Sequence, residues 1–322
     1  MNPFAYASPA RPESAAALAR DGGRYLAGGI DLIGEMKESL ASPSLLVNLK
    51  HLPGTRDIAL AGSTWRIGTN VTIAEIAAHR ELGASLPGLA AAAAAVGSPE
   101  IRNQATLGGN LAQHSRCWYY RHRDIHCRKK GGTRCFARIG ENKYHSLFTG
   151  CLCVSPAVSN LAVALAALNA CVAVLRSQGI VQWTIPQLYA AAWTHPTAHN
   201  SLGAGDLILH ADIPADPAVH SAYLQVSERS GFDWALVSCA AAVRVAAGVW
   251  SDVRIVLGAV APVPWEVEAA NRYLEGRRAE DTAFDQAADL VLREAVPLSG
   301  NTYKLALARA LVKRTLRALA PA

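Results

Sequence analysis

Five of the seven cysteines lie close together in the middle of the 322-residue sequence: Cys117, Cys127, Cys135, Cys151 and Cys153. The N-terminal residues show no secretory or twin-arginine signal, so clustered thiols indicate metal or redox chemistry before disulfides. Four thiolates are the ligand set of many iron–sulfur clusters and of structural zinc ions. The other two cysteines, Cys171 and Cys239, lie in apolar runs and are predicted to be small core residues.

The same segment carries the excess positive charge of the chain. Residues 116–145 contain nine of the 31 lysines and arginines but two of the 25 acidic residues, and the net charge is +6. The nine are Arg116, Arg121, Arg123, Arg128, Lys129, Lys130, Arg134, Arg138 and Lys143. A basic, cysteine-containing segment with aromatic residues can indicate nucleic-acid binding. We expect no nucleic-acid partner, because such a role leaves two glycine-rich turns unexplained.

These two turns, at residues 27–32 and 105–111, each contain a Gly-Gly pair. Glycine permits the positive φ angles and the close approach with which successive backbone N–H groups bind a phosphate. Ordinary tight turns use the same residues, so neither pair is specific when taken alone. Neither turn has the G-x-G-x-x-G pattern, which disfavours an ordinary dinucleotide-binding domain.

The elements around these residues predict an α+β fold. Strand-like runs at 25–26, 45–48 and 65–67 alternate with helical stretches at 31–40, 73–78 and 89–96. After the cysteines, the pattern predicts a helix at 161–170, strands at 171–175, 180–183, 222–226, 236–245 and 253–259, and a final amphipathic helix. The Pro- and Gly-containing stretch 194–206 predicts a boundary between domains at 1–200 and 201–322.

No apolar stretch approaches the roughly 20 residues of a membrane-spanning helix. The longest candidate, 161–175, is rich in alanine and too short. We therefore expect no membrane partner and a protein made in the cytoplasm, which would reach the periplasm only if a partner exported it.

The glycine turns and the segments that follow them resemble the FAD-binding subunits of the xanthine dehydrogenase and carbon monoxide dehydrogenase superfamily, which are molybdenum hydroxylases. The likeness extends over nearly the whole chain and is carried by AGGIDL at 27–32, IGTNVTIA at 67–74, RNQATLGGNL at 102–111 and VLGAVAPVPW at 256–265. The resemblance implies a two-part FAD-binding domain of the molybdopterin dehydrogenase type at 1–200. A smaller α+β C-terminal domain would follow at 201–322.

By this resemblance, the two turns would hold the FAD diphosphate from two sides, with the flavin ring towards the C-terminal domain. Ser159 and Asn160 stand in the place of a Ser-Asp pair near the cofactor. Three residues depart from the family: Asn160 replaces that Asp, Ile30 replaces a Thr, and Gln225 replaces a common Lys. The predicted cofactor-binding residues are Ala27, Gly28, Gly29, Ile30, Asp31, Leu32, Thr106, Gly108, Gly109, Asn110, Ser159 and Asn160.

Most members connect the second turn to the next helix briefly, whereas here about forty residues intervene, far more than an ordinary loop. This insertion, the cluster-bearing loop 112–153, resembles one that holds a [4Fe-4S] cluster in the flavin subunits of 4-hydroxybenzoyl-CoA reductase and periplasmic aldehyde oxidoreductase. The resemblance implies four ligands: Cys117, Cys127, Cys135 and Cys153. Cys151 is the rival fourth ligand, but Cys153 lies at the better distance before Ser159.

Zinc is the alternative metal, although the first three cysteines are farther apart than in zinc ribbons. With five cysteines available, the nearby histidines are expected to lie outside the ligand set. They are His114, His122, His126 and His145.

The resemblance implies an oxidoreductase subunit that transfers electrons and carries no catalytic residue for the substrate. FAD would exchange electrons with a [2Fe-2S] small subunit and, through it, with a molybdenum-cofactor large subunit. The [4Fe-4S] cluster would connect FAD to an external carrier, in either direction.

The positive charge beside this site favours an acidic, ferredoxin-like carrier. The residues expected to dock it are Arg121, Arg123, Arg128, Lys129, Lys130 and Arg134. Solvation of a long loop, or compensation of an anionic cluster, would explain the same charge. The alternative function is a stand-alone flavoprotein with a structural zinc loop.

Overall fold

The first 50 residues form a small parallel sheet flanked by helices; the computed structural model describes residues 1–229 and 231–320. The elements here are β1 (Ala5–Ala7), α1 (Pro12–Arg20), β2 (Arg24–Leu26), α2 (Leu32–Lys37) and β3 (Leu45–Asn48). The strand order is β1-β3-β2, with both pairs parallel. The central strand β3 buries Leu46 and Val47, as expected for a parallel strand covered on both faces. The first glycine turn directly follows β2.

A five-stranded antiparallel sheet with a layer of helices forms the second part. Before the cluster-bearing loop come β4 (Ile58–Ala61), β5 (Thr64–Gly68), α3 (Ile73–Ala78), α4 (Arg80–Ser85), α5 (Pro87–Ala94), α6 (Pro99–Gln104) and α7 (Leu107–Leu111). The loop contains α8 (Trp118–Arg121) and two 3-10 turns, Arg128–Lys130 and Phe136–Arg138. After it come α9 (Asn160–Ala167), β6 (Cys171–Arg176), β7 (Gly179–Thr184), α10 (Ile185–Thr194) and β8 (Leu207–Pro214).

The strand order of this sheet is β4-β5-β8-β6-β7. β8 is therefore hydrogen-bonded between β5 and β6, although it follows the predicted boundary at residue 200. The first structural unit extends through Pro214, because removing β8 would split its sheet. The stretch 194–206 is an internal connection of this unit.

The C-terminal part is an antiparallel sheet covered by three helices. Its elements are β9 (Val219–Val226), β10 (Val237–Ala246), β11 (Val249–Gly258), β12 (Trp265–Glu266), α11 (Glu268–Leu274), α12 (Asp281–Leu292) and α13 (Tyr303–Arg317). Alternate residues of β10 enter different cores: Ala240 packs with the helices of the second part, whereas Cys239 and Ala241 pack beneath α12 and α13. This sheet therefore joins the C-terminal helices to the rest of the chain.

The predicted α+β class is confirmed, and β3, α3 and β6 have the bounds predicted from the sequence to within one residue. Cys239 is fully buried as predicted, but Cys171 is partly exposed at the start of β6. The longest elements that were not predicted are α1, α10, β8 and α12. Among the described residues, no helix is both long enough and apolar enough to cross a membrane.

The two glycine turns are held together by close backbone packing. A Cβ added to Gly28 would lie 1.9 Å from the carbonyl oxygen of Gln104, just before the second turn. A Cβ on Gly108 would lie 1.9 Å from Thr69 Oγ1, and the Gly108 N–H donates to the carbonyl oxygen of Thr69 at 2.9 Å. Gly28 and Gly108 are therefore required by the fold itself, because a side chain at Gly28 would push the turns apart and one at Gly108 would displace Thr69.

The cluster-bearing loop is anchored to α13 by buried polar side chains. Lys304 is fully buried, and its Nζ donates to the carbonyl oxygens of His145 at 3.0 Å and Ala259 at 2.6 Å. Asn301 Nδ2 donates to the carbonyl oxygens of His145 and Ser146, both at 2.9 Å. These bonds satisfy backbone acceptors that the irregular loop cannot satisfy within itself.

Lys304 should make the stability of the protein depend on alkaline pH. Burial lowers the pKa of Lys304 from 10.5 to about 7. Between these values the folded protein holds this proton less often than the unfolded chain, so the contribution of Lys304 to the free energy of unfolding rises with pH, by up to about 1.4 kcal/mol per unit. We expect Lys304→Met to flatten this rise in urea unfolding between pH 7 and 9.5, whereas Lys50→Met, at an exposed lysine, should not. Parallel curves for Lys304→Met and the unmodified chain would contradict the expectation.

Candidate functional site

A cavity of about 550 Å³ lies between the two glycine turns, within the size range of small-molecule and cofactor sites. Its walls include the first turn, the second turn, the start of the cluster-bearing loop, the connection before β8, and Trp234 of the C-terminal part. The turns adjoin because Gly28 packs on Gln104, as described above. The cavity is therefore a direct result of the packing of the two turns.

Ten of the predicted cofactor-binding residues line this cavity. They are Ala27, Gly28, Gly29, Ile30, Asp31, Leu32, Thr106, Gly108, Gly109 and Asn110. Gly29 has a φ of +76°, and a Cβ on Gly109 would have one neighbour within 4 Å, Thr106 Oγ1 at 3.2 Å. Gly29 and Gly109 are thus the glycines that leave the cavity wall open, whereas Gly28 and Gly108 serve packing.

Ser159 and Asn160, the other two predicted residues, do not line the cavity. Ser159 Oγ donates to Asn110 Oδ1 at 2.6 Å, and it also accepts the N–H of Ala162 at the start of α9. Asn160 Nδ2 donates to Gln225 Oε1 at 2.9 Å. Ser159 therefore positions a cavity residue from behind, and direct contact of either residue with the cofactor stays a prediction.

Sequence reasoning missed the wall formed by residues 202–208. The Tyr25 hydroxyl donates to the carbonyl oxygen of Gly205 at 2.9 Å, and Gly205 has a φ of +78°. The sequence LGAGD at 202–206 contains a third glycine-rich turn, but we interpreted it as part of a domain boundary. Arg116 and Trp234 were also not predicted as cavity residues, because no local pattern links them to the turns.

An ion network joins the first glycine turn to the cluster-bearing loop. Asp31 Oδ1 lies 2.9 Å from Arg116 Nη1 and 2.6 Å from Arg121 Nη2. Burial alone would raise the pKa of Asp31, but the two arginines outweigh it and lower the pKa. Asp31 is thus a carboxylate that holds two cations of the loop against the turn.

Glu35, one helical turn later in α2, extends this network. It is 3% exposed, and His114 Nδ1 and the Tyr120 hydroxyl lie 2.9 Å and 3.1 Å from its Oε1. Burial would raise the pKa of Glu35, and the hydrogen bond and charge of His114 lower it overall. Asp31, Glu35 and His114 have ligand atoms within 4.8 Å of one another. Because the loop arginines already compensate the carboxylates, we assign this group to the ion network.

The structure brings the four predicted cluster ligands around one void. Cys117, Cys127, Cys135 and Cys153 line it, together with the aromatic rings of Tyr119, Phe136 and His145. Cys151 does not line it; its Sγ donates to the carbonyl oxygen of Cys153 at 3.1 Å. All seven cysteines lie within the described residues and are free thiols.

The environments of these thiols differ. A hydrogen bond from Cys153 lowers the pKa of Cys135, and the same bond, with burial, raises the pKa of Cys153. Burial raises the pKa of Cys117 to about 11. His145 Nε2 lies 3.1 Å from Cys117 Sγ, and burial lowers the pKa of His145 to about 4, so this imidazole is neutral at pH 7. A neutral imidazole with its proton on Nε2 can donate to a Cys117 thiolate.

Lys129 places a buried cation at the same void. It is 6% exposed, its Nζ donates to the carbonyl oxygen of Ala198 at 2.7 Å, and no carboxylate of the described residues lies within 4.0 Å of it. Burial lowers the pKa of Lys129, while the nearby cysteines, Cys153 foremost, act to raise it. The electrostatic partner of Lys129 is therefore the cysteine site.

A smaller cavity connects the cysteine void to the large one. Gln113 and His114 line both the large and the small cavity, and Lys129 and Ser155 line both the small cavity and the cysteine void. Neighbouring chambers thus have wall residues in common. The two sites adjoin, although their residues are far apart in the sequence.

The predicted docking residues divide into two groups. Arg121 belongs to the Asp31 network and Lys129 faces the cysteines, so the structure removes both from a docking surface. Arg123 and Arg134 are exposed, whereas Arg128 and Lys130 are partly buried and donate to carbonyl oxygens of the loop. The remaining positive surface is smaller than the sequence suggests.

Two family models together match nearly the whole chain. The model described as the FAD binding domain in molybdopterin dehydrogenase matches residues 2–216. The model described as the CO dehydrogenase flavoprotein C-terminal domain matches residues 222–319. These limits agree with a first unit that ends after β8.

Full-length relatives support the same assignment. The aldehyde oxidoreductase FAD-binding subunit of Escherichia coli is 31% identical over 322 residues, covering 98% of this chain and 96% of the relative. The carbon monoxide dehydrogenase medium chain of Hydrogenophaga pseudoflava is 27% identical over 323 residues, with coverages of 98% and 96%.

The structure of carbon monoxide dehydrogenase from Hydrogenophaga pseudoflava superposes with a TM-score of 0.78 at 25% identity, covering 98% of this chain and 97% of that chain. Quinoline 2-oxidoreductase from Pseudomonas putida has a TM-score of 0.76 at 23% identity, with coverages of 98% and 96%, and supports the fold. The resemblance inferred from the glycine turns is therefore confirmed. This chain belongs to the family of FAD-binding medium subunits of the molybdopterin dehydrogenases, the xanthine oxidase family.

Proposed function

We propose that this chain is the electron-transfer subunit of a molybdenum hydroxylase-type complex and that it binds a [4Fe-4S] cluster beside its FAD. The observation that carries the proposal is the void lined by four cysteine thiols, which adjoins the FAD cavity through one small chamber. When bound, FAD supplies two-electron and one-electron chemistry and the cluster supplies one-electron chemistry. The protein's part is to hold both groups close together and away from water.

The sequence spacing of the proposed ligands favours a cluster over a zinc ion. Cys117, Cys127 and Cys135 are farther apart in the sequence than the close cysteine pairs of zinc ribbons.

The residues around the void suit an anionic metal centre. Four thiolates outweigh the positive charge of an iron–sulfur core, and Lys129 supplies a buried cation against them. His145 can donate to the sulfur of Cys117, and Cys127 and Cys153 are each 5% exposed, so water has little access. Hydrogen bonds to sulfur and low exposure are the features by which proteins adjust cluster potentials.

We infer two sister subunits, one with the molybdenum cofactor and one with [2Fe-2S] clusters. Relatives that match over the full length are named medium chains or FAD-binding subunits, which supports a multi-subunit assembly. A stand-alone flavoprotein with a structural zinc loop is the alternative. Metal analysis of the purified chain separates the two, because only the proposed function requires iron.

An acidic, ferredoxin-like carrier remains our proposal for the external partner. Exposed Arg123 and Arg134 lie in the loop that carries the cysteines. Two exposed apolar residues are near proposed ligands in the sequence: Ile139 follows Cys135, and Leu152 precedes Cys153. Apolar residues with a positive rim are typical of surfaces that bind an acidic protein transiently. This smaller surface replaces the six-residue face expected from the sequence.

The two adjacent glycines of the second turn should have separable effects. Gly109→Ala places a methyl group at the cavity wall, so we expect roughly tenfold weaker FAD binding with the unfolding free energy nearly unchanged. Gly108→Ala must displace Thr69, so we expect a loss of about 1–3 kcal/mol in stability. Flavin fluorescence titration and urea unfolding measure the two quantities. Equal FAD affinity in Gly109→Ala and the unmodified chain would exclude a cofactor contact at this glycine.

Neighbouring cysteines provide a matched test of the cluster. We expect Cys153→Ser to lose most of its iron and the visible absorption of the cluster, because it removes one of four thiolate ligands. Cys151→Ser, two residues away and outside the void, should keep both. The measurement is iron, zinc and flavin content after anaerobic purification. Full iron in Cys153→Ser would reject the ligand set, and zinc in place of iron would reject the cluster.

Charge reversal should reveal the carrier surface. We expect the double change Arg123→Glu and Arg134→Glu to slow electron exchange with an acidic ferredoxin by about tenfold at low salt, and less at high salt, because the attraction is screened. Arg314→Glu makes the same kind of change at an exposed residue of α13 and should have little effect. Stopped-flow absorbance measures the rates. A double variant as fast as the unmodified chain at low salt would remove this surface from the proposal.

A further inference from the structure

Glu35 and His114 form a carboxylate–imidazole pair between the large cavity and the small chamber that leads to the cysteine void. His114 Nδ1 lies 2.9 Å and 3.1 Å from the two oxygens of Glu35. A carboxylate accepts hydrogen bonds and donates none, so Nδ1 carries the proton of this contact. In the neutral imidazole, Nε2 then has the free lone pair, and it is the nitrogen that can bind a further proton.

Nε2 of His114 is open to its surroundings. The side chain is 23% exposed, and it lines both the large cavity and the small chamber. Among the described residues Nε2 has no hydrogen-bond partner, and it is not one of their fully covered polar atoms, whereas Nδ1 of His145 is. Nε2 is therefore accessible from the spaces that the imidazole lines.

The neighbours of His114 hold its ring in place. His199 stacks on it with 4.1 Å between the ring centres and 10° between the planes, and the backbone N–H of His114 donates to Asp31 Oδ2 at 2.7 Å. His199 Nδ1 accepts the N–H of Ser115 at 3.1 Å, and burial strongly lowers the pKa of His199, so this second ring stays neutral.

The charged and titratable groups around His114 come from three parts of the chain: α2 with its first residue, the cluster-bearing loop, and the connection before β8. They are Asp31, Glu35, Tyr120, Arg121, Lys129 and His199. Among the described residues, Glu35 is the one anion that contacts the imidazole itself. An anion in this position favours the protonated form of an imidazole.

We propose that His114 takes up a proton at Nε2 when the flavin of FAD is reduced and releases it when the flavin is oxidised. The inference rests on the proposed function, because an electron relay requires the flavin to lie at the side of the cavity that adjoins the cysteine site. His114 lies on that side, since it lines the chamber between the two. It is thus a residue that balances charge for the relay.

The exchange conserves charge. Two electrons from iron–sulfur centres and one proton from water convert the flavin to its reduced anion. The added negative charge makes an adjacent imidazole bind a proton more tightly, so a second proton from water bonds to Nε2, while Glu35 stabilises the imidazolium at Nδ1. The two protons balance the two electrons. The buried site therefore gains no net charge, which would be unfavourable in the interior.

Counting protons during reduction tests this exchange. The FAD-bound chain is reduced at an electrode with methyl viologen as mediator in weakly buffered solution, while charge passed, flavin absorbance and pH are recorded. We expect the unmodified chain to take up more protons per reduced flavin than His114→Gln, by up to about one proton between pH 5 and 8, where imidazoles titrate. The same difference should appear in the Cys153→Ser background, which is expected to lack the cluster.

Matched variants separate this role from a structural one. His114→Gln leaves Glu35 with the Tyr120 hydroxyl at 3.1 Å and Arg121 Nη1 at 3.6 Å, so we expect it to fold and to bind FAD. Glu35→Gln keeps an acceptor for Nδ1 without the charge, so its extra proton uptake should move to lower pH. His220→Gln, at an exposed histidine of β9, should match the unmodified chain.

Equal proton counts in His114→Gln and the unmodified chain, with FAD bound to both, would overturn the inference. A difference that disappears in the Cys153→Ser background would also overturn it, because the proton would then follow the cluster and not the flavin. An unmodified chain that binds no FAD would instead overturn the proposed function.

Discussion

The ion pairs of Asp31 with Arg116 and Arg121 connect the two halves of the functional site. Asp31 belongs to the first glycine turn, and both arginines belong to the cluster-bearing loop. A loop of this length, with only short helical turns, needs contacts with the rest of the chain to fix its position. Opposite charges that are buried together must remain paired, since separating them leaves an uncompensated charge in the interior. The cavity between the glycine turns and the loop that carries the cysteines are therefore joined through Asp31.

The other end of the loop is fixed by different chemistry. Lys304 and Asn301 of the C-terminal part donate to the backbone of residues 145 and 146. The ion network thus holds the loop to the first glycine turn, and neutral amide and ammonium donors hold it to α13. A loop fixed at both ends can present four thiols around one void without a regular element beneath them. This arrangement explains why the large cavity and the cysteine void lie on either side of one small chamber.

Local sequence patterns predicted the parts of this structure that local physics determines. The alternation of apolar residues located β3, β6 and β10, and the glycine pairs located both turns of the cavity. The patterns failed where tertiary contacts decide: β8 follows a glycine-rich stretch that is typical of a linker, yet it completes the sheet between β5 and β6. The sequence also could not show why residue 108 must be glycine, because only the structure shows that Thr69 packs against it. The four cysteines lining the void follow from a family resemblance, since no spacing rule predicts which of Cys151 and Cys153 turns inward.

The positive surplus of the loop shows why net charge alone does not identify a partner. Arg116 and Arg121 neutralise Asp31 and Glu35, and Lys129 faces the cysteines, so these cations serve the interior. Arg138 donates to carbonyl oxygens of the segment that contains Cys151, which stabilises the loop. Each of these cations lies beside a local acceptor or anion that compensates most of its positive charge. Little of its electrostatic field therefore extends into solvent beyond a Debye length. The positive charge of the loop that is available for association therefore resides mainly on its exposed arginines, such as Arg123 and Arg134.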